Sequence, residues 1–268
     1  MAASPQATRL LDTLTAEARG TVRSAAPEQV HNLRVAIRRL MQALAVLNGP
    51  PKQIDKIRRG LKTIMGFAGK TRDYDITLKL ARKANASDRF VARLHRRRAA
   101  AAKLLALDLQ KWLELGMPAQ WREVIAAAHP SASADRVLMK AVKRLFKRGA
   151  AAEGSRKNLH PLRIAAKKLR YTLDLLDSAD PAHLEQIKQL QKRLGDINDY
   201  ETARRIATEE SGGKRIIRLL GEKQEKKVRS FHRYWEREFA SEKRNWKRAT
   251  LHAAVPGTRS ITLAARAH

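Results

Sequence analysis

The sequence predicts an all-α protein made of two four-helix bundles related by an internal pseudo-two-fold repeat. Three observations carry that expectation. The 268 residues are 43% hydrophobic but only 5% aromatic, and much of the apolar share is Ala and Leu, which favours helices. Apolar residues recur at helical spacing between clear stop signals. One helix design is also used twice: the stretch from Val30 to Leu40 returns from Leu159 to Tyr171.

At about 100° per residue, Val30, Leu33, Ile37, Leu40, Leu44 and Leu47 share one stripe of the first copy, and His31, Arg34 and Arg38 share a second stripe beside it. The second copy places Leu159, Leu162, Ala166, Leu169, Leu173 and Leu176 on the apolar stripe. His160, Arg163, Lys167 and Arg170 fall on its basic one.

Taken in order, Ser4-Pro5 opens a helix with Leu10, Leu11, Leu14, Ala18 and Val22 at helical spacing, ending near Ala25-Ala26. Pro27 suits the first turn of the next helix, which carries the His31 stripe until Asn48-Gly49-Pro50-Pro51 stops it. A third helix runs from Gln53 to Ala84, with a bend or short break expected at Gly66 and Gly69. The fourth runs from Ser87, its N-cap, to Leu115. A short helix is expected around Trp121 to Ala128, closed by Pro130 and Ser131.

Then the cycle restarts. Asp135 to Ala152, Ser155 to Asp177 and Pro181 to Glu209 match the first three helices, and Gly212-Gly213 lead into a last helix through Phe231, Trp235 and Phe239. His31 and His160 lie 129 residues apart. The block Gly69-Lys70-Thr71-Arg72-Asp73-Tyr74-Asp75 aligns with Gly195 to Glu201 at a separation of 126. The expected organisation is a first half at 1–130, a second at 131–248, and a flexible tail at 249–268, where helical periodicity is lost around Pro256 and Gly257.

A formal net charge of +30 at pH 7 and a pI near 11.2 imply a polyanionic partner: nucleic acid, an anionic membrane surface or a phosphate polymer. With no cysteine, disulfides, thiolate metal sites and a cysteine nucleophile are excluded. The residues from Met1 to Leu14 lack a signal-peptide pattern, and no window offers 18 apolar residues, so no transmembrane segment and a soluble, cytoplasmic location are expected.

The basic stripe is the candidate site. Arg presents a rigid fork of donors matched to phosphate oxygens, and Lys a mobile point charge. Spaced one helical turn apart along a line, such groups suit a repeating anion better than one compact ligand. His31 and His160 have no second His or carboxylate at metal-ligand spacing, so no metal site is expected. Asp73 and Asp199, with Asp75 and Glu201 two residues on, read as anchors that hold Arg and Lys side chains of a neighbouring helix, or alternatively as paired carboxylates for acid and base work. Gly-Lys-Thr at residues 69–71 imitates the end of a phosphate-binding P-loop, but the first glycine that motif needs is Ile64 and no strand precedes it. Of the cations at Arg96, Arg97, Arg98, Lys223, Lys226, Lys227 and Arg229, some are candidates to extend the lining, and most read as solvent-facing.

The doubled His-x-x-Arg helix, followed each time by Gly-x-x-x-Asp-Tyr and an acidic residue, resembles the CHAD family of α-helical domains with characteristic histidines. The likeness extends to about residue 245. It implies two four-helix bundles around a pseudo-two-fold and a basic groove or pore that binds inorganic polyphosphate. The lining it implies matches His31, Arg34, Arg38, Arg39, His160, Arg163, Lys167, Lys168 and Arg170, with Arg72 added in the first half because Asn198 stands at its place in the second. Asp73, Asp199 and Tyr171 are expected behind that lining.

The family is associated with polyphosphate or polyhydroxyalkanoate granules, and some members carry a hydrolytic domain marked by Glu-x-Glu-x-Lys, a motif this sequence lacks. The expectation is a non-enzymatic binder with no catalytic residues and no cofactor, located in the cytoplasm, with granule association implied by the family. Two alternatives remain: a binder of structured RNA or other nucleic acid, and a metal-dependent polyphosphate hydrolase. The first normally interleaves aromatics for base stacking, and the stripes offer only Tyr171. The second needs a carboxylate cluster facing the cations.

Overall fold

The computed structural model describes residues 5–130, 134–153, 155–176, 181–240, 242 and 245–246. The tail expected at 249–268 and the side chain of Leu176 lie outside the described residues. The described residues are overwhelmingly helical: α1 (Pro5–Arg23), α2 (Pro27–Ala43), α3 (Pro51–Lys83), α4 (Asp88–Glu114), α5 (Met117–Ala126), α6 (Ala134–Ala152), α7 (Leu159–Leu176), α8 (Pro181–Glu209) and α9 (Lys214–Glu238). A two-residue antiparallel ladder pairs β1 (Leu47–Asn48) with β2 (His129–Pro130).

The starts follow local chemistry. Pro27 and Pro51 occupy first turns, where a missing N–H costs nothing, and the Ser87 hydroxyl accepts from the Phe90 N–H to cap α4. Two features differ from the sequence expectation. Helix α2 stops at Ala43, before the Asn-Gly-Pro-Pro signal, because Leu47 and Asn48 are drawn into pairing with residues 129–130. Helix α3 runs without interruption through Gly66 and Gly69. Two helical glycines together cost about 2 kcal/mol, and the buried row Ile54, Ile57, Leu61, Ile64, Ala68, Thr71 and Leu78 that α3 presents outweighs that penalty.

The chain divides into two compact units. The first takes the described residues of Met1–Ser131 with Asp199–Gly221; the second takes those of Ala132–Asn198 and Glu222–His268. In the first, Leu11, Leu14 and Ala18 of α1, Val30, Leu33, Ile37 and Leu40 of α2, and Leu44 just after it are fully buried. Trp121 of α5 packs on Trp112 of α4 at 5.2 Å between ring centres and lies over Gly60, where a Cβ would come within 2.7 Å of its ring. The tip of the α8–α9 hairpin belongs here too. Ala203, Ile206, Ala207, Ile216 and Leu220 share one core with Tyr74, Leu78, Phe90 and Leu94.

The hairpin turns α3–α4 and α8–α9 are built alike. Asn85 (φ 50°) and Ser211 (φ 52°) both take the left-handed conformation, and in each turn the next N–H reaches back to a carbonyl five residues earlier, Ala86 to Ala81 and Gly212 to Ala207. Both turns lie in the first unit, where Arg93 donates to the Ser211 carbonyl and Arg215 to that of Asn85. In the second unit Leu159, Leu162, Ala166, Leu169 and Leu173 are buried, as their stripe predicts, among Leu138, Leu145, Ile187, Leu190 and the aromatic group Phe146, Phe231, Trp235, Phe239 and Trp246.

Candidate functional site

Helix α2 carries its apolar stripe inward, which leaves the adjacent basic row at the edge of the core. His31 and Arg39 are exposed, and Arg34 and Arg38 are partly buried. Arg72 of α3, also partly buried, joins them. The grouping is visible in the electrostatics of His31. Its imidazole is held below the ordinary value by partial desolvation first, then by the positive charges of Arg72 and Arg38; Glu28 opposes and Arg34 adds to the lowering. Three guanidinium groups from two helices thus act on one ring.

Gly69 lies on the same side of α3. Were a Cβ present there, the Arg34 Nη1 would be 3.0 Å from it, and no other atom apart from its chain neighbours and the local helix backbone would come within 4 Å.

In the second unit α7 repeats the row. His160 and Lys168 are exposed, and Arg163, Lys167 and Arg170 are partly buried, with the inner Nε atoms of Arg163 and Arg170 shielded from solvent. The Arg170 guanidinium sits 5.0 Å from the centre of the Tyr171 ring. Gln191 of α8 donates to the Ala166 carbonyl at 2.8 Å, tying α8 to α7 beside Lys167.

The carboxylates of the first copy of the motif, Asp73 and Asp75, meet cations of neighbouring helices. Asp73 is 3.7 Å from Arg205 of α8, which also pairs with Glu209 at 2.8 Å. The most enclosed of them is Asp75, whose side chain is 5% exposed and accepts from the Arg98 Nε at 3.0 Å. Arg98 also donates to the carbonyl of Ala25, just before α2 begins. Sequence reasoning read most of that cation group as solvent-facing without singling out Arg98; the structure buries most of Arg98, whose partner carboxylate stands 23 residues earlier. In the second unit Lys227 meets Asp196 at 2.7 Å, and Asp199 is partly buried in the first.

Residues 66–71 lie inside α3, where backbone N–H groups serve the helix, so a P-loop cradle is absent there. Among the described residues no group of three or more His, Asp or Glu side chains is placed to hold a metal ion, and no helix is long and apolar enough to cross a membrane.

These features define a class: an all-helical protein that presents rows of His, Arg and Lys along the flanks of core helices. The chain belongs to the CHAD domain family, whose pattern matches residues 6–208. Its fold is similar to that of the crystal structure of the CHAD domain from the plant Ricinus communis, with TM-score 0.61 and 24% identity over 92% of this chain and 89% of that one. It is also similar to PptA from Streptomyces chartreusis, with TM-score 0.56 and 16% identity over 91% and 98%. No curated protein matches the sequence.

Proposed function

We propose that this protein binds inorganic polyphosphate without hydrolysing it, along the basic rows of α2–α3 and α7, used as two related halves of one repeated design. The observation that carries this reading is that Arg34 and Arg38 line one flank of α2 and Arg34 lies against α3, the helix that supplies Arg72. A gathering of cations attracts anions, and a linear polyanion can meet such a row along its length. Family membership supports the same substrate, since CHAD domains are commonly linked to polyphosphate. The shared turn geometry at Asn85 and Ser211 supports the repeat.

Two further features favour this reading over its rivals. Tyr171, the one aromatic on the stripes, has the Arg170 guanidinium 5.0 Å from its ring centre, on a face that a stacked base would need. Asp73 and Asp75 are directed at Arg205 and Arg98, not assembled around a metal position. A storage granule of polyphosphate is the cytoplasmic setting such a binder would occupy.

The test is equilibrium binding of fluorescent long-chain polyphosphate across a salt series, with RNA as competitor and magnesium present while phosphate release is followed. Expected are tight binding that RNA does not displace, a steep fall with salt, and no release. Arg34→Ala with Arg163→Ala should abolish most of the affinity while the far-UV helix signal stays. Displacement by RNA, or liberation of phosphate, would refute the reading.

A further inference from the structure

We propose that Gly69 is a positioning residue of the anion site: the side chain it lacks leaves the space in which the Arg34 guanidinium lies against α3. The inference rests on the polyphosphate reading and deepens it by naming what shapes the site.

Three glycines interrupt the good helix formers of α3, and each costs about 1 kcal/mol relative to Ala in a helix interior. Their surroundings differ. At Gly60 the missing Cβ makes room for the Trp121 ring, 2.7 Å away, which is apolar packing. At Gly66 there is open space, with nothing within 4 Å. At Gly69 the one atom within 4 Å of an added Cβ, apart from its chain neighbours and the local helix backbone, is the Nη1 of Arg34, at 3.0 Å.

A Cβ at that distance already presses on the guanidinium, and a longer side chain fills the place where it lies. The glycine also sits three residues before Arg72, one turn along the same helix and on the same face. Keeping residue 69 bare therefore lets a cation of α2 approach the helix that supplies the next cation, and His31 feels both. The equivalent Gly195 has nothing within 4 Å of its missing Cβ, so the device belongs to the first row alone.

The experiment compares Gly69→Leu, Arg34→Ala, the two combined, and Gly66→Leu as the control on the same helix. Melting and far-UV dichroism confirm folding, and Gly69→Ala serves as the milder variant if Gly69→Leu does not fold. Affinity for long-chain polyphosphate is read at one salt concentration, and the His31 titration is read by NMR without ligand. Gly69→Leu should weaken binding severalfold, as much as Arg34→Ala does, and the combined variant should bind no worse than Arg34→Ala alone. Gly66→Leu should bind as the parent does.

Parent-like affinity in Gly69→Leu, or losses that add in the combined variant, would overturn the inference. The titration keeps it separable from the functional reading. If the parent binds no polyphosphate, that reading fails, while an upward move of the His31 midpoint in Gly69→Leu, matching that in Arg34→Ala, still supports the positioning role. An unmoved midpoint in Gly69→Leu would refute it.

Discussion

Arg98 joins three elements with one side chain. From α4 it donates to Asp75 on α3 and to the Ala25 carbonyl ahead of α2, so it holds the two helices whose cations surround His31. Replacing it with Met keeps the aliphatic stem and removes the charge. Asp75, with its side chain 5% exposed, then loses the ion-pair partner of its Oδ1, while its Oδ2 is already buried without a hydrogen bond. Taking away one member of a buried pair costs about 3–5 kcal/mol, most of it the stranded charge. At about 2–4 °C per kcal/mol for a protein of this size, the melting temperature should fall by roughly 6–20 °C.

Scanning calorimetry measures the loss, and the transition that shifts is that of the first unit. The double variant Asp75→Asn with Arg98→Met replaces the stranded carboxylate by a neutral amide and should recover most of it. A loss below about 1 kcal/mol in Arg98→Met, or a double variant no more stable than the single one, would show that Asp75 and Arg98 do not form a buried pair.

Two other outcomes follow from the structure. A Cβ at Gly149 would lie 1.8 Å from the Trp235 ring, which is stacked on Phe239 at 5.0 Å and bonded through its indole N–H to Glu153, so it has nowhere to retreat. Gly149→Ala should therefore destabilise by about 2–3 kcal/mol despite the better helix propensity, whereas Gly195→Ala, in open space, should stabilise by about 0.5–1 kcal/mol in the same urea titration. Because His31 is held below the ordinary imidazole value in the free protein, the unfolded chain takes up its proton first on acidification. Unliganded stability should then decline as pH falls below about 6.5 and level off beneath the lowered folded value. A bound polyanion works the other way, raising the His31 value. Polyphosphate affinity should rise over that same acid window with net proton uptake by calorimetry, and His31→Asn should lose its share of both effects.

Much of the helical layout was legible because helix periodicity and turn chemistry are local. Val30, Leu33, Ile37, Leu40 and Leu44 repeat at a spacing that admits one buried stripe, and once that stripe is inside, His31, Arg34 and Arg38 must stand at its border. Pro27, Ser87 and Gly116 mark boundaries through groups within a few residues of themselves. Where the reading failed, a distant partner decided. Leu47 left the α2 stripe to pair with Pro130, 83 positions later. Gly66 and Gly69 did not break α3, because buried residues on both sides of them hold the helix. Arg98 could not be told from Arg96 and Arg97 without knowing that Asp75 faces it.

The sequence by itself determined the all-helical class, the recurrence of one basic helix design and the identity of the cations along it, since all three depend on spacing within single helices. Only the tertiary structure decided that the tip of the α8–α9 hairpin shares a core with Tyr74 and Phe90, that the charge of Arg72 acts on His31, and that Arg34 lies where Gly69 lacks a side chain. Those depend on which faces of different helices come to lie against one another. That is fixed by the packing of whole side chains from remote parts of the chain, which no local pattern encodes.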